Sequence, residues 1–217
     1  MLCYWFDRVM PANFLTRIIS SAVLAVAVNA ALVSTPVMAQ SLPRDVQFAL
    51  AQVTKTNDHQ GLPFAIVDKK SAQLFVFNSA GQLQGSAPAL LGLTLGDVEL
   101  DQPSAADTQS LPMSRRTTPA GRFVSEPGRN LSGEAIVWID YTARLAIHRL
   151  RPAAQAERRA ERLASATPTD NRITLGCVVV DPLFYDTVVA PVMSKGYGVV
   201  YVLPENEALE RLHAVMQ

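Results

Sequence analysis

Short apolar runs separated by polar turns fill much of the chain after residue 62, and their length predicts strands. Two such runs, Phe64–Asp68 and Gln73–Asn78, are joined by a polar turn, and Leu83–Ala87 follows after a second turn. Short runs rich in β-branched and aromatic residues, bounded by such turns, are typical of strands. The pattern predicts an antiparallel meander at the start of the domain.

The strand pattern resumes after a long polar stretch. Residues 101–118 are rich in Pro, Ser, Thr and Asp, which predicts a loop that is either mobile or functional. Beyond it, strand signals occupy residues 118–124, 135–140, 143–148 and 199–203. Together these elements predict a mainly β domain.

A few helices are predicted around the strands. They cover residues 45–51, 152–165 and 183–193, and residues 204–217 form a further helix or a tail. The first lies in a polar lead-in, residues 40–61, so we expect the ordered core to begin near Leu62. The second starts at Pro152, is rich in Ala, Glu and Arg, and is typical of a solvated amphipathic helix. Asp181 before Pro182 is a good start for the third.

Residues 1–39 have the features of a secretory signal. A start with two arginines precedes an apolar run from Ile18 to about Val33, and small residues offer a cleavage site after Ala39. The run is shorter than the roughly 20 residues that a bilayer span prefers. A cleaved signal is therefore favoured over an uncleaved anchor or a buried helix, and Met10 is an alternative start. We expect an exported protein of the periplasm or cell envelope, without an integral membrane domain after cleavage.

Composition narrows the possible partners. Nineteen basic residues balance nineteen acidic ones, which gives no electrostatic basis for binding nucleic acid. Cleavage after Ala39 leaves 178 of the 217 residues, a length that suits one domain. Three histidines and one remaining cysteine do not form a metal cluster, and the scattered glycines do not form a phosphate loop, so we expect no metal and no cofactor. Nothing in the composition indicates an oligomeric state.

Cys177 is the residue with the most distinctive chemistry. The other cysteine, Cys3, lies in the leader, so Cys177 has no disulfide partner after export. A lone thiol is either a small buried apolar residue or a nucleophile. Gly176 before it allows a sharp turn and close approach of a substrate carbonyl, and the N–H of Cys177 or Gly176 would then hold the oxyanion. Thr174 either bonds this loop or the histidine, or is simply a β-branched strand residue.

A thiol nucleophile needs a base, and His148 is the best placed of three histidines. His59 lies in the polar lead-in and His213 in the C-terminal segment. Strand alternation puts His148 at a strand end, on the face opposite Ile147. A hydrogen-bonded structural histidine is the alternative interpretation.

Three ordered motifs resemble the L,D-transpeptidase catalytic domain, the YkuD-like family. They are Thr118-Pro119-Ala120-Gly121-Arg122-Phe123, then His148, then Thr174-Leu175-Gly176-Cys177. The family pattern is a Thr-Pro-x-Gly-x-Phe segment, a histidine after a strand, and a Ser/Thr-His-Gly-Cys block. The resemblance covers roughly residues 62–203, where residues 65–68 and 74–77 look like the family's first two strands.

The resemblance implies a mainly β fold, an L,D-transpeptidase-like sandwich or barrel of mixed strands with a few peripheral helices. It implies that Cys177 attacks a peptide carbonyl in a peptidoglycan stem, with His148 as base and later acid. The family cleaves after the L-centred carbonyl of the third stem residue and expels the terminal D-amino acid. The thioester then passes to an amine of a neighbouring stem, which crosslinks the wall, or to water, which makes the enzyme a carboxypeptidase.

Two positions depart from the family pattern. Leu175 stands where a histidine is usual, and Val179 stands where Arg or Asn is usual. The second change removes one anchor for the carboxylate of the stem. Arg149 and Arg172 are the candidates to replace it in substrate binding, with Arg144 as a further one. The insertion between His148 and Thr174 is longer than usual and indicates a divergent branch.

Three functions follow as alternatives. The first is an exported cysteine acyltransferase or carboxypeptidase acting on peptidoglycan stems. The second is a wall-binding or partner-binding module that keeps the fold without catalysis, which Leu175 and Val179 motivate. The third is a thiol hydrolase with a substrate outside the wall.

Overall fold

The computed structural model of the protein describes residues 41–97 and 116–205. The strands within these ranges are β1 Phe64–Asp68, β2 Gln73–Phe77, β3 Leu83–Gly92, β4 Gly121–Arg129, β5 Ala135–Asp140, β6 Leu145–Arg149, β7 Arg172–Thr174, β8 Val178–Val180 and β9 Gly198–Val202. The α-helices are α1 Arg44–Thr56, α2 Arg159–Leu163, α3 Pro182–Phe184 and α4 Ala190–Met193. The predicted leader, most of the predicted loop 101–118 and the C-terminal segment from residue 206 lie outside the described residues.

Eight strands close into a barrel. Their order is β2-β1-β9-β4-β5-β6-β8-β3, and β3 pairs back with β2. The pairs β1–β9 and β6–β8 are parallel, whereas the other neighbours in the ring are antiparallel. The short strand β7 adds to the end of β3 in parallel. The predicted mainly β fold of mixed strands and the predicted β1–β2–β3 meander are confirmed.

The barrel interior is the largest apolar cluster. Alternate residues of most strands fill it, including Val67 of β1, Ile147 of β6 and Val178 of β8. The helical segment that follows β8 adds Tyr185 and Met193 to the same cluster. Burying one face of every strand in a common interior is what stabilises a small closed barrel.

Helix α1 belongs to the fold, so the core begins earlier than predicted. Val46, Ala49 and Val53 are fully buried and pack with Phe64 and Tyr201 on the outer face of the sheet. Their i, i+3, i+7 spacing is the signature of an amphipathic helix, and it extends well beyond the predicted residues 45–51. All five residues of β1 are buried and Phe64–Val67 is continuously apolar, because the strand is covered on both faces.

The single helix predicted over residues 152–165 is wrong. The segment holds a 3-10 turn, Gln155–Glu157, and then α2, and the two are separated by Arg158 with φ 48°. Leu163 is the buried residue of α2. Because so little apolar surface is buried here, packing cannot enforce one long helix.

The helix predicted over residues 183–193 is confirmed, with an irregularity. Asp181 accepts hydrogen bonds from the N–H groups of Leu183 and Phe184 and so caps α3. A π-helical turn, Tyr185–Val189, joins α3 to α4. Among residues 41–97 and 116–205, no helix has the length and apolar character needed to cross a bilayer.

Candidate active site

The parallel pair β6–β8 brings the two predicted catalytic residues to one face of the barrel wall. Ile147 pairs with Val178 inside the barrel, and His148 pairs with Val179. Cys177 immediately precedes β8, and the same register puts it level with Ala146. Side chains alternate along a strand, so Cys177 and His148 both lie on the outer face, two positions apart.

The turn before the sulfur requires glycine. Gly176 has φ 138°, a conformation that side chains of L-residues rarely adopt, and a Cβ there would lie 2.8 Å from the Thr117 carbonyl oxygen. The segment that carries the Thr-Pro motif therefore packs directly against the backbone of the Cys177 turn.

The hydroxyl of Thr174 bonds both ends of this turn. It accepts the Gly176 N–H at 3.1 Å and donates to the Cys177 carbonyl at 2.7 Å. The Gly176 N–H, one of two predicted oxyanion donors, is thus already bonded. Within the described residues no acceptor takes the N–H of Cys177. The donor left beside the sulfur is therefore the N–H of Cys177.

Thr118 fixes the same peptide from the other side. Its buried hydroxyl donates to the Gly176 carbonyl at 2.7 Å and accepts the Gly92 N–H at 2.9 Å. A trans peptide points its C=O and N–H in opposite directions. Anchoring the Gly176 carbonyl on Thr118 therefore directs the Cys177 N–H away from Thr118. The sequence marked Thr118 as part of a motif but gave no sign of this contact, which spans 58 residues.

His148 is held in one tautomer. Its Nδ1 lies 2.7 Å from the Arg149 carbonyl oxygen, which can only accept, so Nδ1 carries the proton and Nε2 is the basic nitrogen. Burial lowers the pKa of His148 below its ordinary 6.5, and the neighbouring carbonyl partly offsets this. The ring is therefore neutral and able to accept a proton near neutral pH.

The thiol faces the β6 backbone. Cys177 Sγ donates to the Arg144 carbonyl at 3.5 Å, and no hydrogen bond joins this sulfur to the His148 ring, both residues being described. Burial raises the pKa of the Cys177 thiol, while the Ala146 N–H and the positive charge of Arg151 act in the opposite direction. In this geometry the pair is a neutral thiol and a neutral imidazole.

His59 does not compete for this role. His59 packs against Phe64, with 5.1 Å between ring centroids, and its Nε2 lies 3.1 Å from the Ser79 carbonyl oxygen. His213 lies outside the described residues.

Both arginines predicted to bind substrate have structural partners instead. Arg149 bonds Asp186 at 2.5 Å and stacks 4.1 Å from the centre of the Tyr185 ring. Arg172 is buried and bonds Glu205 at 2.5 Å and the carbonyl of Lys69 at 2.6 Å. The structure therefore does not bring either guanidinium to the thiol. Nearness in sequence does not determine which way a side chain points, because consecutive strand residues face opposite ways.

Arg151 is the arginine whose charge reaches both Cys177 and His148. Its positive charge acts to lower the pKa of both groups. Burial is the main cause of the net shift in each, which is downward for His148 and upward for Cys177. Its side chain is 42% exposed and its Nε donates to Glu134 at 2.6 Å. The sequence did not indicate Arg151, because strand alternation predicts the direction of side chains only within a strand and β6 ends at Arg149.

A buried ionic cluster contacts Thr118, the residue that holds the turn before Cys177. Lys69 is fully buried and donates to Asp97 at 2.8 Å, to the Thr118 carbonyl at 2.9 Å and to the Gly96 carbonyl at 2.5 Å. Glu205 lies 3.8 Å from Lys69 and also pairs with Arg172. The cluster joins the two described segments on either side of residues 98–115. It connects Gly96 and Asp97 to Thr118, the residue that holds the Gly176 carbonyl.

The two departures from the family pattern lie in different surroundings. Leu175 is 44% exposed. Val179 is buried and packs with Leu90 and with Leu163 of α2. The inserted helix α2 therefore covers Val179 with an apolar side chain.

Comparison with solved structures finds L,D-transpeptidases. One, in complex with imipenem, is 14% identical with a TM-score of 0.37, and the match covers 65% of this chain and 58% of that chain. One from Mycobacterium smegmatis is 13% identical with a TM-score of 0.36, at the same two coverages. A cysteine-to-serine mutant of the Enterococcus faecium enzyme is 15% identical with a TM-score of 0.35, covering 65% of this chain and 49% of that chain.

The chain thus spans about half to three fifths of the length of the structures it matches. No protein-family model and no curated protein matches the sequence. These solved structures belong to the family that the three motifs resemble. At such TM-scores the overlap assigns no activity, which has to be argued from the site itself.

Proposed function

We propose that this protein is an exported cysteine acyltransferase acting on peptidoglycan stem peptides through a thioester at Cys177. The observation that carries the proposal is the arrangement of Cys177, whose N–H no described residue accepts, beside the strand that holds His148 in a single tautomer. A thiol, an oriented base and a fixed backbone donor are the parts that acyl transfer requires.

Acylation begins with proton transfer from sulfur to Nε2 of His148. Sγ lies on the Arg144 carbonyl, so this step requires rotation about the Cα–Cβ bond of Cys177 to bring Sγ to the ring. Such contacts often tighten only when substrate is bound. The thiolate attacks the stem carbonyl, and the Cys177 N–H stabilises the oxyanion that forms.

Collapse of the tetrahedral intermediate breaks the amide bond. His148 returns its proton to the leaving nitrogen, which departs as the free amine of the terminal D-amino acid, and the acyl group stays on sulfur. His148 then takes a proton from the acceptor, either an amine of another stem or water. Attack on the thioester releases the product and restores the thiol.

Arg151 is the candidate anchor for the carboxylate of the stem. Its guanidinium is partly exposed and its field acts on both catalytic groups. A guanidinium binds a carboxylate through paired N–H donors, which suits a substrate that ends in one. It would fill the role that the sequence suggested for Arg149 and Arg172.

A carbapenem and a muropeptide test the proposal. The purified protein should gain the mass of one carbapenem on Cys177 and should release D-alanine from disaccharide tetrapeptides. The Cys177→Ala variant should do neither. Crosslinked dimers among the products identify transfer, whereas tripeptides indicate carboxypeptidase activity. Absence of both adduct and product release would contradict the proposal.

A non-catalytic wall-binding module is the second candidate. The bond from Sγ to the Arg144 carbonyl and the raised pKa of the thiol favour it, because both keep the sulfur protonated. On this hypothesis Cys177→Ala binds purified sacculi and supports any cellular role as well as the unaltered protein does. Loss of the cellular role in that variant would exclude it.

Export is part of the same proposal, because peptidoglycan lies outside the cytoplasmic membrane. The basic start, apolar run and small-residue site in residues 1–39 support it. Expression of the full chain with a C-terminal tag should yield a periplasmic product whose N-terminus, by mass spectrometry, is Gln40.

A further inference from the structure

Trp138 lies flat against the outer surface of the barrel. A Cβ built on Gly128 of β4 would lie 2.4 Å from Cδ1 and from Nε1 of the indole. The five-membered ring therefore sits directly on the backbone of Gly128, where any side chain would displace it. Glycine within a strand often marks such a close approach.

A second aromatic ring stands beside the indole. The centroids of Trp138 and Tyr141 are 5.2 Å apart, and their planes meet at 76°. Tyr141 is 69% exposed, and its ring stands nearly perpendicular to the indole, so the two rings form adjoining sides of a recess. They border a cavity of about 310 Å³ that is also lined by residues 122–124, 126, 139 and 140.

The remaining lining combines apolar and acidic groups. Val124 is exposed to 55% on the same sheet face and adds an aliphatic side chain to the aromatic pair. Glu126, the cross-strand partner of Trp138, is exposed, and Asp140 follows two residues after Trp138. Carboxylate oxygens at the rim can accept hydrogen bonds from hydroxyl or amide groups.

This surface shares a row with the candidate nucleophile. Trp138 pairs with Ala146, and the β6–β8 register puts Ala146 level with Cys177. Paired residues on neighbouring strands face the same way, so the indole and the thiol are on one side of the sheet. Two strand spacings separate their Cα atoms by roughly 10 Å.

We propose that Trp138 and Tyr141 bind a pyranose ring of the glycan strand that carries the stem peptide. The apolar C–H face of a pyranose suits the electron-rich face of an indole. The hydroxyl and acetamido N–H groups at the sugar's edge suit Glu126 and Asp140. This inference rests on the proposed function and adds where the non-reacting part of the substrate binds.

The separation agrees with the size of the substrate. Three extended residues span roughly 10 Å. A stem whose third carbonyl is at Cys177 therefore brings its sugar end to the region of Trp138. Binding energy gained there would hold the reacting carbonyl in place.

Tryptophan fluorescence tests sugar binding directly. The chain has two tryptophans, Trp5 and Trp138, so Trp5→Phe leaves Trp138 as the sole emitter. In the full chain carrying Trp5→Phe and Cys177→Ala, a β-1,4-linked N-acetylglucosamine tetramer should cause a saturable change in emission. The same experiment with Gly128→Val added, which lifts the indole, should show at least tenfold weaker affinity.

Calorimetry extends the test to a variant without the indole. Trp138→Leu should lose at least tenfold in tetramer affinity, whereas Tyr197→Ala, which removes an exposed tyrosine outside the row, should not change it. Circular dichroism establishes that each variant is folded. Equal affinity in folded Trp138→Leu and unaltered protein, or no saturable binding at all, would overturn the inference.

Substrate preference separates a sugar from a peptide as the occupant. The unaltered protein should have a lower KM for disaccharide tetrapeptide than for the free tetrapeptide, and Trp138→Leu should treat the two alike. Equal KM values in the unaltered protein would overturn the inference. Carbapenem adduct formation without sugar binding would do so as well, while leaving the acyltransfer proposal intact. Sugar binding without an adduct supports the inference and counts against acyltransfer.

Discussion

At the scale of single residues, the site depends on which groups stay unpaired. Thr174 takes the Gly176 N–H, and the Arg149 carbonyl takes Nδ1 of His148. Within the described residues, the Cys177 N–H and Nε2 of His148 are left without a hydrogen-bond partner. The structural hydrogen bonds thus leave free the two groups to which the proposed mechanism assigns a role.

The pH dependence of acylation should follow His148. Burial lowers the pKa of His148 below 6.5, so the ring stays in its basic form at and above pH 6.5 and is lost as base only as the pH falls through that lowered pKa. Burial also raises the pKa of the thiol, so direct ionisation adds nothing below about pH 9. Carbapenem inactivation rates measured from pH 4.5 to 9.5 should be flat between these limits. A half-maximal rate above pH 7 would contradict this assignment.

Replacing Arg151 should weaken substrate binding more than chemistry. Arg151→Gln removes the guanidinium but keeps a polar, uncharged side chain with the same three-carbon stem. A partly exposed charge-assisted contact contributes about 1.5 kcal/mol, which corresponds to roughly a tenfold rise in KM for tetrapeptide with kcat little changed. Arg149→Gln is the matched control, since its guanidinium is bonded to Asp186. A larger KM effect from the control would reverse the assignment.

Residue chemistry predicted part of this site. The lone thiol, the preceding glycine and elimination among three histidines were enough to select Cys177 and His148. The partners of Gly176 could not be predicted, because its carbonyl is held by Thr118, far away in sequence. The ion-pair partners of Arg149 and Arg172 could not be predicted for a related reason, because strand parity and long-range contacts decide where a guanidinium lies.

At the scale of elements, three separate segments meet under the turn before Cys177. The end of β3 supplies Gly92, the entry to β4 supplies Thr118, and the β7–β8 turn supplies Gly176. The hydroxyl of Thr118 hydrogen-bonds to both of the other segments. The orientation of Cys177 therefore depends on the barrel wall rather than on the turn alone.

Removing that hydroxyl should slow acylation more than thiol alkylation. Thr118→Val keeps the shape but leaves the Gly176 carbonyl and the Gly92 N–H unpaired, at a cost of about 1–3 kcal/mol in unfolding free energy. Carbapenem acylation, which needs the oriented Cys177 N–H, should fall at least tenfold. Alkylation by iodoacetamide, which forms no oxyanion, should change little.

Thr118→Ser is the matched control for this prediction. It keeps the hydroxyl and should restore most of the acylation rate. Its free energy of unfolding should fall only by the contribution of the lost methyl group. Equal losses in acylation and alkylation for Thr118→Val would mean that the residue acts only through folding.

At the scale of the whole molecule, the strands were predictable and the closure was not. Runs such as Phe64–Asp68 and Ala135–Asp140 have the length and composition of strands, and they are strands. Which strands pair depends on contacts between distant segments, such as β1 with β9. The amphipathic spacing in α1 was visible but was outweighed by its polar composition, and the break at Arg158 leaves no sequence signal.

The buried ionic cluster should contribute strongly to global stability. Lys69→Met leaves Asp97 and Glu205 buried with less cationic compensation, which should cost about 3–5 kcal/mol in urea-induced unfolding. The adjacent Lys70 pairs with Asp45 at the surface, so Lys70→Met should cost less than about 1 kcal/mol. Similar losses for both lysines would show that burial of the cluster is not what matters.

Closure of the barrel also limits how a peptide can be recognised. In the ring of eight strands β1, β2 and β9 are paired along both edges, so their backbone N–H and C=O groups are committed within the wall. An extended stem cannot dock along these three strands by adding itself as another strand. Where both edges are paired in this way, selectivity for a chain of alternating stereochemistry must come from side chains, which tolerate D-residues better than a backbone ladder does.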